Sequence, residues 1–516
     1  VYDELLKTVV TLLPEIFLIA MATILFVGGA FVRAPRVWLI VTVAAEVVAT
    51  YLVWQQSDSE TAIYGPIIAD QFGNVVRWLA TTTGLLLVLA GARTAKGKLS
   101  TEFLGAMLVI TAGVMFVGRA NELIFLFLGL ELISIPTYVL LYLGRQGRGT
   151  AESTAKYFFL SILSSAVFLY GLSFVYGLAG TTTLLAMDSG TATIQSAFMA
   201  EPSTLGGIAL VLVLAGLGFK IAAVPFHFYA PDVYQGVSHS NAALLSIAPK
   251  LAGMVAIIRL VLIGLPGANP MVWQLLLVIA VITMTLGNVS ALWQTDLRRM
   301  MAYSSIAHSG YMLIGLAAAA AAPTQAYGGI AAVLFYLSVY ALATVGFFAA
   351  LSYLGDNEES VRNVDDLAGL ANNQPLIAAA IALFLFSLAG IPPLAGFWGK
   401  LTLLTSSVDV AIHHTDPTAR TWFLVLAITG GINAAIAAAY YLRIISIMFF
   451  RTSRTPLQGT GGWQAAAVGV SALLVLLLGI DHGHIADAAH EAESSLRAFP
   501  EMEQTSLDPG EAKLPT

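Results

Sequence analysis

Hydrophobic residues run through this sequence in long blocks, not in the alternating or three-to-four spacing of half-buried strands and surface helices. A helix needs about 20 mostly apolar residues to cross roughly 30 Å of hydrocarbon at about 1.5 Å per residue. Fourteen blocks meet that length, near 9–32, 37–54, 75–92, 101–118, 121–143, 154–178, 204–226, 241–263, 271–293, 300–319, 326–353, 375–405, 421–449 and 463–480. The pattern predicts an all-α polytopic membrane protein with about 14 transmembrane helices. The first block is too long for the core of a signal peptide and shows no small-residue cleavage site, so it reads as a retained span. A start at Val1 instead of Met leaves room for a short leader before it.

The polar gaps carry an orientation signal, because short loops rich in Lys and Arg stay in the cytoplasm. Arg33 and Arg36 follow the first span, Arg93, Lys96 and Lys98 the third, and Arg145 and Arg148 the fifth; Arg298 and Arg299 precede the tenth, and Arg451 and Arg454 follow the thirteenth. All of these fall on one face. Asp58, Glu60, Asp70, Asp188, Glu201, Asp409 and Asp416 fall on the other, with Arg420 nearly alone in opposing them. An even number of spans then puts both termini on the outer, periplasmic side of a cell's inner membrane. The gap from Gly355 to Asn373 is acidic, but acidic residues weigh little in this rule. The segment after Ile480 is polar, with Pro, Glu and Asp, and reads as a poorly ordered tail without a long amphipathic helix.

Composition agrees with lipid as the solvent. Of 516 residues, 58% are hydrophobic and 10% charged, against about 25% charged in a soluble domain. The net charge of −6 is not gathered into a basic patch, which argues against nucleic acid as a partner. The absence of cysteine excludes thiolate-held iron–sulfur clusters, Cys-based zinc sites and disulfides within this chain.

Charges inside the spans carry the candidate chemistry, since an ion at the bilayer centre costs a few kcal/mol and is usually paired and functional. Glu131 sits in FLGLELISIPTYVL, Lys220 in LAGLGFKIAAVPFHF, Lys250 in LLSIAPKLAGM and Lys400 in LAGIPPLAGFWGKLTLL. Lys156, Arg259, His308 and Arg443 lie nearer helix ends or in more polar surroundings. For Lys156, Arg259 and Arg443, reaching out to the headgroups is an equal alternative, and His308 alone reads equally well as a hydrogen-bonded core histidine. Lysine suits a proton relay because burial favours its neutral form and a nearby carboxylate its charged one; His308 can exchange protons near neutral pH.

Helix breaks accompany the lysines. Pro225 follows Lys220, and Pro392 and Pro393 precede Lys400 beside Gly390, Gly396 and Gly399. Proline frees a carbonyl inside the membrane, which is tolerated where protein or a hydrated cavity satisfies it again, and broken helices frame ion sites in transporters. Leu214-Ala215-Gly216 and Leu388-Ala389-Gly390 stand in the seventh and twelfth spans, five helices apart. Units with an odd number of crossings must be inverted relative to one another.

Several motifs together resemble a known family. Gly216-Leu217-Gly218-Phe219-Lys220, Pro225-Phe226-His227-Phe228 and Pro231-Asp232-Val233-Tyr234-Gln235-Gly236 are similar to the signature of the antiporter-like membrane subunits of NADH:quinone oxidoreductase, respiratory complex I. Ala302-Tyr303-Ser304-Ser305-Ile306-Ala307-His308-Ser309-Gly310-Tyr311 and Ala389-Gly390-Ile391-Pro392-Pro393-Leu394-Ala395-Gly396-Phe397 are also typical of it. The PDVYQG ending resembles the subunit N (subunit 2) branch. A lysine at 400 favours that branch over subunit M, and the short tail argues against subunit L. The resemblance spans roughly 100 to 450. Val237-Ser238-His239-Ser240-Asn241 is more polar than the family's usual stretch, so no role carries over to His239.

The resemblance implies two inverted five-helix repeats, helices 4–8 and 9–13, with helices 7 and 12 broken. The chain then divides into 1–100 (helices 1–3), 101–263 (first repeat), 264–450 (second repeat) and 451–516 (last helix and tail). It implies Glu131, Lys220, Lys250 and Lys400 as the relay; the titration range of His308 adds it, on our own reading, between the last two. It also implies paralogous antiporter-like and other membrane-arm subunits as partners within the lipid bilayer. No cofactor is expected in this chain; NADH, FMN, iron–sulfur clusters and quinone would belong to partner subunits. The alternatives are a subunit of a multisubunit cation/proton antiporter, a transporter of an organic solute, for which no polar pocket is recognisable, and a subunit needed only for assembly.

Overall fold

A computed structural model describes residues 2–57, 61–94, 99–144, 147–186, 191–200, 204–265, 272–321, 328–355, 361–452 and 457–506. The loop charges Asp58, Glu60, Lys96, Lys98, Arg145, Asp188, Glu201, Asp356, Glu358, Glu359 and Arg454 lie outside the described residues.

Helices α1 (Tyr2–Thr11) and α2 (Leu13–Phe31) form the first crossing and α3 (Pro35–Gln55) the second. A small antiparallel hairpin, β1 (Ala62–Tyr64) with β2 (Ile67–Ala69), leads into α4 (Gln71–Gly91). Then come α5 (Ser100–Arg119), α6 (Leu123–Gly144), α7 (Arg148–Ala179) and the short α8 (Ile194–Ala200). Helix α9 (Thr204–Lys220) stops at its lysine and resumes as α10 (Ala230–Gly236); α11 (His239–Ala256) runs on as a π-helical stretch to Gly264. Next are α12 (Val272–Leu292), α13 (Leu297–Ala321) and α14 (Gly329–Leu354). After the single turn α15 (Leu370–Asn373), α16 (Pro375–Ala389) breaks and continues as α17 (Ala395–His413). The chain finishes with α18 (Pro417–Phe450), α19 (Gly462–Ile480) and α20 (Gly483–Ser506).

Among the described residues twelve helices are long and apolar enough to span a bilayer, and two shorter apolar helices, Thr204–Lys220 and Pro375–Ala389, begin the broken crossings. Counting each broken helix as one crossing gives the expected fourteen. The broken crossing is the fourth of five in both α5–α11 and α12–α18. Helices α11, α13 and α14 are buried on nearly every side, whereas α2, α7 and α18 leave most of their apolar surface outward. A helix apolar all round belongs in the interior of a bundle, and α14, with GIAAVLFYLSVYALATVGFF, has that composition. Small residues let the inner helices close up. A β-carbon on Gly287 of α12 would come within 2.6 Å of the Ala307 backbone nitrogen, and one on Gly310 of α13 within 2.6 Å of that of Met284.

The segment after Ile480 departs from the expected poorly ordered tail, because 483–506 is helical. Ala489, Ala492 and Leu496 of α20 are buried, and the buried Glu493 carboxylate accepts a hydrogen bond from the Ala331 backbone N–H at 3.0 Å, at the start of α14. Arg497 donates to the other oxygen of Glu493 at 2.9 Å. The polar composition reflects a helix with one apolar face on the bundle and one outer face.

Candidate functional site

The first break is built from residues 217–230. Ala222 adopts φ +54°, a left-handed conformation that costs a β-carbon-bearing residue, and turns the chain out of α9. Pro225 has no N–H with which to resume the helix. Three of the freed polar groups find partners: Val224 N–H donates to Thr283 Oγ1 at 3.1 Å, the Phe219 carbonyl accepts from Tyr229 OH at 3.0 Å, and the Ile221 carbonyl accepts from Ser309 Oγ. Lys220 therefore sits at the carbonyl end of a half-helix, the end whose dipole favours a cation. Its ammonium lies 3.5 Å from Glu131 Oε1 and donates to Ser134 Oγ and, at 3.5 Å, to Ser165 Oγ. Ser165 in turn donates to Glu131 Oε1 at 2.6 Å.

Lys250 follows Pro249 within α11. It donates to the Ser305 carbonyl, to Ser305 Oγ at 2.7 Å and to Tyr340 OH at 3.4 Å, and stands 4.6 Å above the Tyr340 ring. No carboxylate pairs with it among the described residues. Tyr340 donates to Ser305 Oγ at 2.9 Å, and Tyr234 of α10 approaches the same oxygen at 3.4 Å. One turn on, Ser309 contacts both the Ser305 carbonyl, at 3.3 Å, and the break beside Lys220. The α13 serines thus link the Lys220 and Lys250 groups.

His308, on the next face of α13, is held by two phenols, Nδ1 with Tyr336 OH at 2.6 Å and Nε2 with Tyr441 OH at 2.9 Å; Tyr441 also hydrogen-bonds Ser304. Its ring lies 4.8 Å from the Tyr340 ring, tilted at 41° to it, which places it beside the Lys250 group. At the second break Gly390 takes φ +84°, ending α16 in the left-handed turn that glycine allows. The freed Ala389 carbonyl accepts from Lys400 Nζ at 2.9 Å, and that ammonium stands 5.0 Å from the centre of the Tyr311 ring. Tyr311 and Tyr336 pack edge to face, which closes the gap from His308 to Lys400.

Lys220, Lys250, His308 and Lys400 expose 6%, 2%, 2% and 5% of their surface, too little for any of them to reach headgroups. Glu131 lies at the end of the row with its side chain 19% exposed. The other intramembrane charges divide. Lys156 is largely exposed, pairing with Glu152 at 2.7 Å and Asp232 at 3.5 Å, and Arg443 donates to the carbonyls of Leu292 and Gln294 at the end of α12. Arg259 turns inward and joins a second polar cluster invisible from charge spacing. There Arg259 binds Asp70 through both oxygens at 2.6 and 2.7 Å, Arg77 binds Glu15 likewise at 2.6 and 2.7 Å, and Arg119 donates to Asn74 Oδ1 at 2.5 Å. Glu46 of α3 is also buried, away from this cluster against the middles of α4 and α5, accepting from Thr111 at 2.9 Å. The phenols that hold His308 and Lys250 were also not singled out by sequence, where tyrosine in an apolar helix reads as core.

Residues 120–415 match a family described as NADH:quinone oxidoreductase/Mrp antiporter, transmembrane. Subunit N of NADH-quinone oxidoreductase from Rhodospirillum rubrum is 35% identical over 496 residues, covering 94% of this chain and 96% of that one. The chain belongs to the antiporter-like membrane subunits of NADH-quinone oxidoreductase, in the subunit N branch. Other relatives of this branch agree, among them subunit N from Desulfovibrio desulfuricans, 35% identical over 92% of this chain and 93% of its own length. A chain of respiratory complex I from Thermus thermophilus superposes with a TM-score of 0.76 at 29% identity, covering 92% of this chain and 99% of that one. A chain of the Mrp complex from Dietzia shares the fold, with a TM-score of 0.79, 21% identity, and 97% and 99% coverage. This subunit N relative is therefore a multi-pass membrane subunit of an enzyme complex. Among its described residues no three His, Asp or Glu side chains come together as a metal site.

Proposed function

We propose that this subunit relays protons along the row Glu131, Lys220, Lys250, His308 and Lys400, while redox chemistry with NADH, FMN, iron–sulfur clusters and quinone takes place in partner subunits. The supporting observation is the kind of partner each lysine has. Three buried ammonium groups meet serine hydroxyls, phenols and backbone carbonyls, and among the described residues a carboxylate pairs with just the first, at 3.5 Å. Such ligands solvate a charge without locking it, so either protonation state can be accommodated. When a partner subunit draws Glu131 away, Lys220 loses its counter-charge and gives up its proton toward Lys250 through the α13 serines. His308 and its phenols carry it on to Lys400. Moving each charge outward against 100 mV costs about 2.3 kcal/mol, which quinone reduction elsewhere must supply.

In this reading the arginine-bearing loops face the cytoplasm, and both termini, with α20, face the outer side of the inner membrane. The neighbours are paralogous antiporter-like and other membrane-arm subunits. The test measures proton translocation and quinone reduction together in membrane vesicles carrying the assembled complex. Lys220→Ala and Glu131→Ala should abolish or severely reduce proton translocation in a complex of normal composition. Unchanged pumping in both variants sinks the relay. The Mrp fold likeness favours one rival, a cation/proton antiporter subunit. A sodium-dependent exchange that needs no NADH would decide for it.

A further inference from the structure

Helix α7 carries all of its charges within residues 148–156; residues 157–179 have none. That uncharged stretch rises about 35 Å at about 1.5 Å per residue, enough to cross roughly 30 Å of hydrocarbon. Arg148, Glu152 and Lys156 therefore stand in the headgroup layer, with Lys156 at its inner edge. A polar cleft opens at this level between α7 and α10, on the face of the arginine-bearing loops. It encloses about 490 Å³ and is lined by Arg148, Glu152, Lys156, Asp232, Gln235 and Arg362, a size within the roughly 300–1,000 Å³ of ordinary ligand sites. Thr150 and Ser153 seal its floor, donating to the Gly236 carbonyl at 2.9 Å and to the Asp232 carbonyl at 3.2 Å. The relay makes no use of it.

Charge in the cleft is unbalanced. Glu152 and Asp232 both face Lys156, at 2.7 and 3.5 Å, and Asp232 is also bound by Arg299 at 2.5 Å. Arg362 pairs with Asp296 at 3.1 Å. Arg148 is exposed, and among the described residues no carboxylate pairs with it. Arg148, Lys156, Arg299 and Arg362 thus outnumber Glu152, Asp232 and Asp296 by one, the charge of a single phosphodiester. Below the cleft the same stripe of α7 turns apolar. Glu152, Lys156, Phe159 and Leu163 are spaced four, three and four residues apart, which puts them on one helix face, and all four are exposed.

We propose that this cleft binds the phosphate of a membrane phospholipid, with Arg148 and Lys156 as its ligands and an acyl chain lying along Phe159 and Leu163. One excess positive charge at headgroup depth, continued inward by an exposed apolar stripe, complements such a molecule at both ends. Basic pockets between spanning helices take lipid headgroups on the same principle. Free phosphate would meet the same cations but have no use for the stripe, and a partner subunit seated on α7 would cover the stripe.

The test uses the assembled complex purified in dodecyl maltoside and a phosphatidylglycerol with a diazirine in its acyl chain, added in excess over residual native lipid. On irradiation the probe should label residues 157–163 of this subunit. Arg148→Glu, at an exposed position outside the relay, should cut that labelling about tenfold by reversing a charge-assisted contact, whereas Arg148→Lys should retain most of it. A diacylglycerol with the same diazirine chain has no phosphate and should label parent and variant alike, at the level the phospholipid reaches in Arg148→Glu. Excess inorganic phosphate should not compete. An unlabelled stripe, the outcome if a partner subunit covers it, overturns the proposal. Equal phospholipid labelling in parent and Arg148→Glu leaves chain contact alone and overturns it too. Displacement by inorganic phosphate would assign the cleft to the free anion and overturn the lipid.

Discussion

Two groups of buried charges share this bundle and are built on opposite plans. In the N-terminal cluster, arginines grip carboxylates: Arg259 and Asp70, and Arg77 and Glu15, each share two hydrogen bonds of 2.6 to 2.7 Å with nothing exposed. In the central row, lysines rest on hydroxyls and carbonyls, and the one ion pair there among the described residues is single and 3.5 Å long. Guanidinium stays charged and its planar fork matches a carboxylate, whereas an ammonium on a flexible stem can lose its proton. The first plan suits a fastening and the second a transfer.

The largest effect should come from breaking a fastening. Asp70 also caps α4, accepting from Gly73 N–H at 2.8 Å, so Asp70→Ala strips Arg259 and the helix start together. Removing one member of a buried pair costs about 3–5 kcal/mol. The variant is expected to be lost from the purified complex or to dissociate at markedly lower temperature in detergent. An Asp70→Ala complex of normal yield and heat resistance would remove the structural half of the contrast.

Exchanging the two cations sharpens it. Lys250→Arg keeps a positive charge but supplies a group that does not deprotonate in proteins, so assembly should persist while proton translocation collapses. Arg259→Lys should behave in reverse, pumping normally in a complex destabilised by about 2 kcal/mol through loss of the paired hydrogen bonds. Heat resistance and proton-to-electron ratio measured on both variants give a cross pattern. If both variants lose only stability, the lysine row is a fastening too.

The same contrast explains what sequence could read. Glu131, Lys220, Lys250 and Lys400 stand out because each interrupts an apolar run, and Pro225 and Pro392 mark their breaks. Asp70, Arg77 and Arg119 lie near span ends, where charge is ordinary, and only the folded arrangement of α2, α4, α5 and α11 pairs them. The phenols of Tyr336, Tyr340 and Tyr441 look like core until the His308 and Lys250 heads meet them. The fourteen crossings followed from hydropathy alone. Helix α20 was missed on composition, although Ile485, Ala489, Ala492 and Leu496, spaced four, three and four, carried an amphipathic signal.

A smaller effect separates hydroxyls that carry protons from hydroxyls that fill space. Tyr336→Phe keeps the ring against Tyr311 and removes the 2.6 Å contact to His308 Nδ1. Proton translocation should slow severalfold, with heat resistance changing by about 1 kcal/mol, as for one hydrogen bond. An unchanged pumping rate would mean that the phenol only orients the imidazole.

An exposed carboxylate supplies the zero of the comparison and the smallest expected change. Asp416 begins α18 and accepts from Thr418 N–H at 2.8 Å. That backbone bond, the main cause, holds its pKa below the ordinary 3.8, with the nearby His414 adding slightly. A carboxyl whose folded pKa is depressed contributes stability that is present above its unfolded value and lost as pH falls through the folded one. Its contribution is therefore complete at neutral pH and declines only below 3.8. Asp416→Asn, which can still cap the helix, should match the parent complex in heat resistance and pumping at about pH 6 to 8 and differ only in strong acid. A clear loss at neutral pH would show that an exposed charge on this face matters as much as the buried ones, and the division into fastened and transferable charges would no longer follow from burial and partner type.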